Sequence, residues 1–289
     1  VSTSTHDTLL FFTNFGRVYR LKAYEIPEYG RTAKGLPIVN LLKLEDGETI
    51  QTIINARKEE TAGKSFFFTT KQGVVKRTEV SEFNNIRQNG LRALNLKEGD
   101  QLINVLLTNG QDDIIIGTQS GYSVRFNEAS IRNMGRSATG VRGVSLREDD
   151  RVVGASRIND HQEVLVITEN GYGKRTEAIE YPTKGRGGKG IKTANITPKN
   201  GQLAGLVTVD GTEDIMVITN KGVIIRTNVA NISQTGRATL GVKVMKLDAD
   251  AKIVTFALVQ ADDEEETIGE VEQSQIPAAT DMTPNNDEE

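Results

Sequence analysis

The 289-residue chain has no cysteine and no tryptophan, only two histidines, His6 and His161, and aromatic residues at just 5%. Without cysteine there are no disulfides, thiolate metal sites or thiol nucleophiles. Two histidines far apart in sequence supply neither a metal cluster nor a His-based triad, so no catalytic residue and no metal site is expected. No run of 18 apolar residues occurs, so no segment reads as a membrane-spanning helix, and no charged-then-apolar leader is present. These absences predict a cytoplasmic protein with no membrane partner. The first residue is Val1 rather than Met, which predicts a piece of a longer chain. Helix signals are sparse, while 28 glycines predict many turns.

Charge is unevenly distributed. The formal net charge is −4, but residues 262–289 hold eleven acids and no base. The remaining 1–261 therefore carry 35 bases against 28 acids, a body of +7 with an acidic tail. The tail includes Pro277 and Pro284 and few large apolar residues, a composition that predicts disorder. Its D-D-E-E-E run at 262–266 could hold a divalent ion, but it reads first as a solvated tail.

The organising feature is a repeat. Thr-x-x-Gly-x-x-x-Arg occurs five times, at Thr13/Gly16/Arg20, Thr70/Gly73/Arg77, Thr118/Gly121/Arg125, Thr168/Gly171/Arg175 and Thr219/Gly222/Arg226. The glycines are 57, 48, 50 and 51 residues apart. An apolar run precedes each threonine and a β-rich run follows each glycine, which predicts a tight hairpin with glycine at the second position of a type I′ turn. Gly35, Gly140, Gly190 and Gly241 lie 19 residues beyond their hairpin glycines, and Gly90 lies 17 beyond its own. After each comes an alternating apolar stretch, read as a third strand with one buried face, then a polar bend and a fourth apolar run. Four strands per unit of ~40–50 residues predict an all-β, propeller-like array of about five four-stranded blades. The units cover approximately 1–56, 57–108, 109–158, 159–209 and 210–261, in one domain spanning 1–261. The first unit lacks a full leading strand, which predicts a sixth blade upstream.

The second glycines close basic loops. Arg31, Lys34, Arg87, Arg136, Lys184, Arg186, Lys189 and Arg237 fall in these loops, and repeat equivalence places them on one rim. Lys22, Lys76, Arg92, Arg142, Lys174, Lys192 and Lys243 lie on flanking strands. Charge recurring at the blade period predicts a curved positive edge suited to a bent polyanion, double-stranded DNA. The hairpin arginines Arg20, Arg77, Arg125, Arg175 and Arg226 have two readings: structural, with their forks on carbonyls or a neighbouring acid, or in contact with DNA. A two-residue loop would set them opposite Phe11, Phe68, Ile116, Val166 and Val217. Tyr19, Tyr122 and Tyr172 are expected to pack in or beside the sheets. Tyr24, Tyr29 and Tyr181, ahead of the basic loops, could reach a ligand, but packing is again expected.

Residues 185–190 match G-x-G-x-x-G, yet a strand-like I-K-T-A-N-I follows where a dinucleotide fingerprint needs a helix. Gly190 is followed by Ile191, so the Gly-Lys-Ser/Thr of a Walker loop is missing too.

The segments G-R-V-Y (16–19), G-L-P-I-V-N-L-L (35–42), T-G-V-R-G (139–143), E-N-G-Y-G-K-R-T (169–176) and E-Y-P-T-K (180–184) resemble the C-terminal domain of the DNA gyrase A protein. The resemblance covers about residues 1–260. It implies a β-pinwheel, in which blades exchange strands, that wraps DNA around its outer perimeter. It further implies work inside a type IIA topoisomerase that introduces negative supercoils, as part of an A2B2 heterotetramer with the gyrase B protein and the N-terminal part of the gyrase A protein. ATP and Mg2+ would act elsewhere in that enzyme, leaving no cofactor and no catalytic site in this segment. The family's box, Q-R-R-G-G-K-G, is matched in its last five residues by K-G-R-G-G-K-G at 184–190. By repeat order the box itself would lie upstream. The alternatives are the equivalent domain of topoisomerase IV, a decatenase, and a protein-binding propeller with an incidental basic rim.

Overall fold

A computed structural model describes residues 3–30 and 33–260; the tail at 262–289 lies outside them. Repeat one forms β1 (Thr8–Thr13), β2 (Arg17–Lys22) and β3 (Ile50–Asn55). Repeat two forms β4 (Ser65–Thr70), β5 (Val74–Glu79), β6 (Leu91–Arg92) and β7 (Leu102–Thr108). Repeat three forms β8 (Asp113–Thr118), β9 (Tyr122–Asn127), β10 (Val141–Arg142) and β11 (Val152–Ile158). Repeat four forms β12 (Glu163–Thr168), β13 (Tyr172–Glu177), β14 (Ile191–Lys192) and β15 (Leu203–Val209). Repeat five forms β16 (Asp214–Thr219), β17 (Ile224–Asn228), β18 (Val242–Lys243) and β19 (Ile253–Val259).

The Thr-x-x-Gly motif builds each hairpin by a different turn from the one expected. The glycine N–H donates to the threonine carbonyl at 3.0–3.1 Å in all five copies, and the five glycines have φ between +73° and +87°. Among the described residues the only non-glycines with positive φ are Asp149 and Asp250, so the two residues between Thr and Gly cannot form a type I′ turn. The loop is three residues long, with glycine in the left-handed region as its last member. Threonine recurs because its hydroxyl accepts from the N–H just after the glycine, at 3.1 Å in Val74 and 3.2 Å in Val223. The extra loop residue shifts the register by one. The hairpin arginines therefore pair with Leu10, Phe67, Ile115, Leu165 and Met216, not with the residues expected, and they emerge on the opposite face of the sheet.

The third strand also departs from expectation. It is two residues long and belongs to the sheet of the preceding repeat: β6 lies on β2, β10 on β5, β14 on β9 and β18 on β13. The chain then tucks inward. The N–H groups of Thr193 and Ala194, for example, both donate to the Gly121 carbonyl, at 2.8 and 3.1 Å. Exchange of this strand makes the fold a β-pinwheel of five blades. Four sheets have four strands; the fifth, in the order β17-β16-β19, has three. In repeat one the corresponding stretch forms a 3-10 turn at Ile38–Asn40 instead.

Four of the five apolar cores among the described residues sit between blades; the fifth, around Phe11, Tyr19 and Leu42, lies within repeat one. Phe12 of repeat one meets Phe66, Phe68 and Phe83 of repeat two edge-on, with ring centroids 5.1–6.4 Å apart. Later cores join repeats two and three around Phe67 and Phe126, three and four around Ile115 and Leu206, and four and five around Leu165 and Val217. Each blade is stabilised by its neighbours, as in repeat arrays generally. β3, β7, β11, β15 and β19 are the innermost strands, and all five contribute to a central cavity of about 430 Å³.

Candidate nucleic-acid interface

Strand order locates the basic residues. In each complete sheet the exchanged two-residue strand lies at the edge opposite the innermost strand, hence on the outer perimeter. Arg92, Arg142, Lys192 and Lys243 stand on these outer strands, and all four are exposed. The loop cations lean against them. Arg186 donates from Nη1 to the Arg142 carbonyl at 3.1 Å, and Arg237 donates from Nη1 to the Lys192 carbonyl at 2.6 Å. Outer strand and following loop thus form one cationic row crossing from blade to blade. Lys34, Arg87, Lys184 and Lys189 are exposed, while Arg136 and Arg237 are half-buried. Arg31 lies outside the described residues.

The glycine-rich loop at 184–190 is held by backbone contacts to repeat three. The Gly187 N–H donates to the Gly143 carbonyl at 2.7 Å, and the Ser145 N–H to the Gly188 carbonyl at 2.9 Å. The Arg147 guanidinium, stacked 3.3 Å over the Tyr122 ring, donates to the Lys189 carbonyl at 2.6 Å. Beneath this loop lies a cavity of about 220 Å³ lined by Ser123, Val124, Tyr181 and the loop itself.

The hairpin arginines have partners inside the protein. Arg125 donates to Asp113 at 2.9 Å and Asp160 at 2.8 Å, and to the Ala178 and Tyr181 carbonyls of the next repeat, both at 3.2 Å. Arg175 reaches Glu163 at 2.6 Å and the Ile232 carbonyl at 2.7 Å. Arg77 bonds the Gly110 carbonyl at 3.1 Å, with Glu128 3.8 Å away. Arg226 pairs with Asp214 at 2.7 Å, and Arg20 makes a long 3.4 Å bond to the Asn84 carbonyl. Asp113 shows the electrostatic balance: burial pushes its carboxyl up, but bonds from Thr183, Asn127 and Arg125 outweigh that and hold it below the ordinary value.

Two lysines grouped with the rim by sequence are elsewhere. Lys76 and Lys174 are 0% and 1% exposed, each beneath the loop of the following repeat. Sequence held a signal for this. The same repeat position is Tyr19, Lys76, Val124, Lys174 and Ile225, a core position that tolerates lysine only where its ammonium finds acceptors. Tyr181 is also buried, its hydroxyl 2.7 Å from the Thr193 hydroxyl, and is not available to a ligand. Tyr24 and Tyr29 are exposed.

The family model described as DNA gyrase C-terminal domain, beta-propeller, matches residues 7–57, 64–109, 112–159, 162–210 and 213–260. The chain belongs to this DNA gyrase C-terminal domain family. The DNA gyrase A protein of Streptococcus pyogenes serotype M3 is 97% identical over 263 residues, which is 91% of this chain and 32% of that protein. The chain thus spans about a third of the length of the curated relatives it matches. A solved DNA gyrase A C-terminal domain superposes with a TM-score of 0.76 at 26% identity, covering 89% of this chain and 83% of that one. The C-terminal domain of a DNA topoisomerase IV superposes with a TM-score of 0.80 at 27% identity, covering 89% and 80%. The gyrase-family fold is therefore shared with the topoisomerase IV domain, and the 97% identity is what sides with gyrase.

Proposed function

We propose that this domain binds double-stranded DNA along its outer perimeter and wraps it, serving a gyrase that introduces negative supercoils. The observation that carries the reading is the row in which Arg186 leans on the strand of Arg142 and Arg237 on that of Lys192. One cationic group recurs per blade at the outer edge of a ring. Such contacts position a duplex and read little sequence, and bending 20–30 bp costs ~1–6 kcal/mol, so several blades must act together. The contacting residues are Lys34, Arg87, Arg136, Arg142, Lys184, Arg186, Lys189, Lys192, Arg237 and Lys243, with Arg31 added by repeat equivalence. Arg77, Arg125 and Arg175 are assigned to holding blades together, because each bonds a backbone carbonyl beyond its own hairpin, at Gly110, at Ala178 and Tyr181, and at Ile232 respectively. The partners are DNA, the gyrase B protein and the N-terminal part of the gyrase A protein in an A2B2 enzyme of the cytoplasm, where ATP and Mg2+ act outside this domain.

The test is topological. Closed circular DNA is relaxed by a nicking–closing enzyme in the presence of the domain, and a shift in linking number reports wrapping. Arg186→Ala with Lys189→Ala should reduce the shift and lower the salt slope of binding by about two, with the fold intact by circular dichroism. Binding that ignores salt would overturn the reading and favour a protein ligand. The likeness to the topoisomerase IV domain supports decatenation as a second reading; assaying the reconstituted enzyme for supercoiling against decatenation separates the two.

A further inference from the structure

The buried lysines do something specific to the loops above them. An ammonium has three donors and no acceptor. Lys76 Nζ donates to the carbonyls of Ala93 at 2.6 Å, Arg136 at 2.9 Å and Gly135 at 3.2 Å. Lys174 Nζ donates to the carbonyls of Gly236 at 2.8 Å, Thr239 at 3.2 Å and Arg237. In both cases one acceptor is the carbonyl of the loop arginine itself. The N–H of the same arginine is also held, by Glu82 for Arg136 at 3.2 Å and by Glu180 for Arg237 at 2.8 Å. Lysine from below and glutamate from the side therefore grip the two ends of one residue in the cationic row.

Both halves of the grip occur together only in repeats two and four; repeat one has Tyr19 and Glu25 at the two positions and repeat five Ile225 and Asn231. Lysine lies three residues and glutamate nine residues after the hairpin glycine in repeats two and four. In repeat three these positions are Val124 and Ser130. The loop that follows repeat three is 184–190, and the space beside Val124 is the 220 Å³ cavity. The Gly185 and Arg186 carbonyls, equivalent to those of Gly135 and Arg136, accept no hydrogen bond from the described residues. The glycine-rich loop thus lacks the grip, although its arginine belongs to the same row.

We propose that Lys76 with Glu82, and Lys174 with Glu180, are positioning residues that lock the loops of Arg136 and Arg237 into fixed phosphate contacts, and that Arg186, whose backbone lacks this grip although Lys184 and Gly187 to Lys189 are anchored on either side of it, is the adjustable contact between them. The proposal rests on the DNA-wrapping reading for its purpose, but the locking itself is measurable without DNA.

The experiment compares backbone hydrogen exchange and DNA binding in two double variants. Lys76→Met with Lys174→Met removes the ammonium and keeps most of the stem. Exchange at 135–138 and 236–239 should rise about tenfold or more through local opening, with β4 and β12 unchanged, and the salt slope should fall by about two. Val124→Lys with Ser130→Glu installs the grip under 184–190. Exchange at 185–189 should slow by a similar factor, and the linking-number shift should change as the adjustable contact stiffens. If the methionine variant leaves loop exchange unchanged, the proposal is wrong. If that variant does not fold, the installed grip decides: failure to slow exchange at 185–189 overturns the inference. A wild-type domain that neither binds DNA nor shifts linking number defeats the DNA reading alone, since exchange still reports on the grip.

Discussion

A buried ammonium is costly wherever it lies, and this domain keeps two. Burial pushes Lys76 down to about 7 and Lys174 down to about 8; Glu82 and Glu180 oppose the shift, while Arg136 and Arg237 add to it. In the unfolded chain both would titrate near 10.5. Between those values the native state has released protons that the unfolded state still binds, so stability rises with pH across the window from about 7 towards 10.5, while each lysine, once neutral, grips its loop with two donors rather than three. Burial raises Tyr19 and Tyr181 to about 12, which reverses the trend above their ordinary value of 10.0. Melting temperatures measured from about pH 6.5 to 9.5 should climb in the wild type and stay flatter in Lys76→Met with Lys174→Met; parallel curves would refute the assignment. Arg125 offers a second residue-level case. Removing it strands Asp113 and two carbonyls that it now satisfies, so Arg125→Ala should cost about 3 kcal/mol in urea unfolding, while Arg20→Ala, with one long bond, should cost under about 1 kcal/mol. The two readings of these arginines stand level in the sequence because the repeat motif names no partner. One signal is legible all the same: Asp113, Glu163 and Asp214 each precede their arginine by 12 residues, which the hairpin register turns into a cross-strand ion pair.

At the scale of the element, the hairpin glycine is constrained twice. At Gly121, φ is +87° and an added Cβ would lie 2.6 Å from the Ala194 carbonyl oxygen of the exchanged segment. At Gly222, φ is +75° but nothing lies within 4 Å, because no exchanged strand covers β17. Gly222→Ala should therefore show the left-handed penalty alone, ~1–2 kcal/mol, and Gly121→Ala clearly more, with displacement of β14 as the added loss. Chemical denaturation of the two variants checks this, and equal losses would mean that strand exchange contributes little at that turn. The contrast also shows what the sequence could carry. Hairpins, blade count and loop positions are legible because they repeat. The register is not, because Thr-x-x-Gly fits a two-residue turn as readily as a three-residue one closed by the threonine hydroxyl. Strand exchange leaves no pattern, since a two-residue strand such as Ile191–Lys192 is too short to show a period; family resemblance supplies it.

At the scale of the whole molecule, four of the five blades set an exchanged outer strand on the perimeter, so charge that is ordinary in any single repeat recurs from blade to blade along one edge. The candidate row is legible as a period in the sequence; the direction in which it faces is not, because only strand order separates the outer edge from the central cavity. If about ten of its cations meet phosphate, the slope of log affinity against log salt should be near −9. The acidic segment at 262–289, outside the described residues, carries eleven negative charges next to a body of +7. A tethered polyanion competes with DNA for the same perimeter at high effective concentration, and the competition is screened by salt with a Debye length of ~10 Å at 0.1 M. Deleting 262–289 should therefore tighten DNA binding several-fold at low ionic strength and enlarge the linking-number shift, and the two proteins should converge as salt rises. Titrating a fluorescent duplex against both proteins at several salt concentrations measures this directly. Identical affinities at low salt would show that the tail does not occupy the perimeter, and would leave its charge without a role in wrapping.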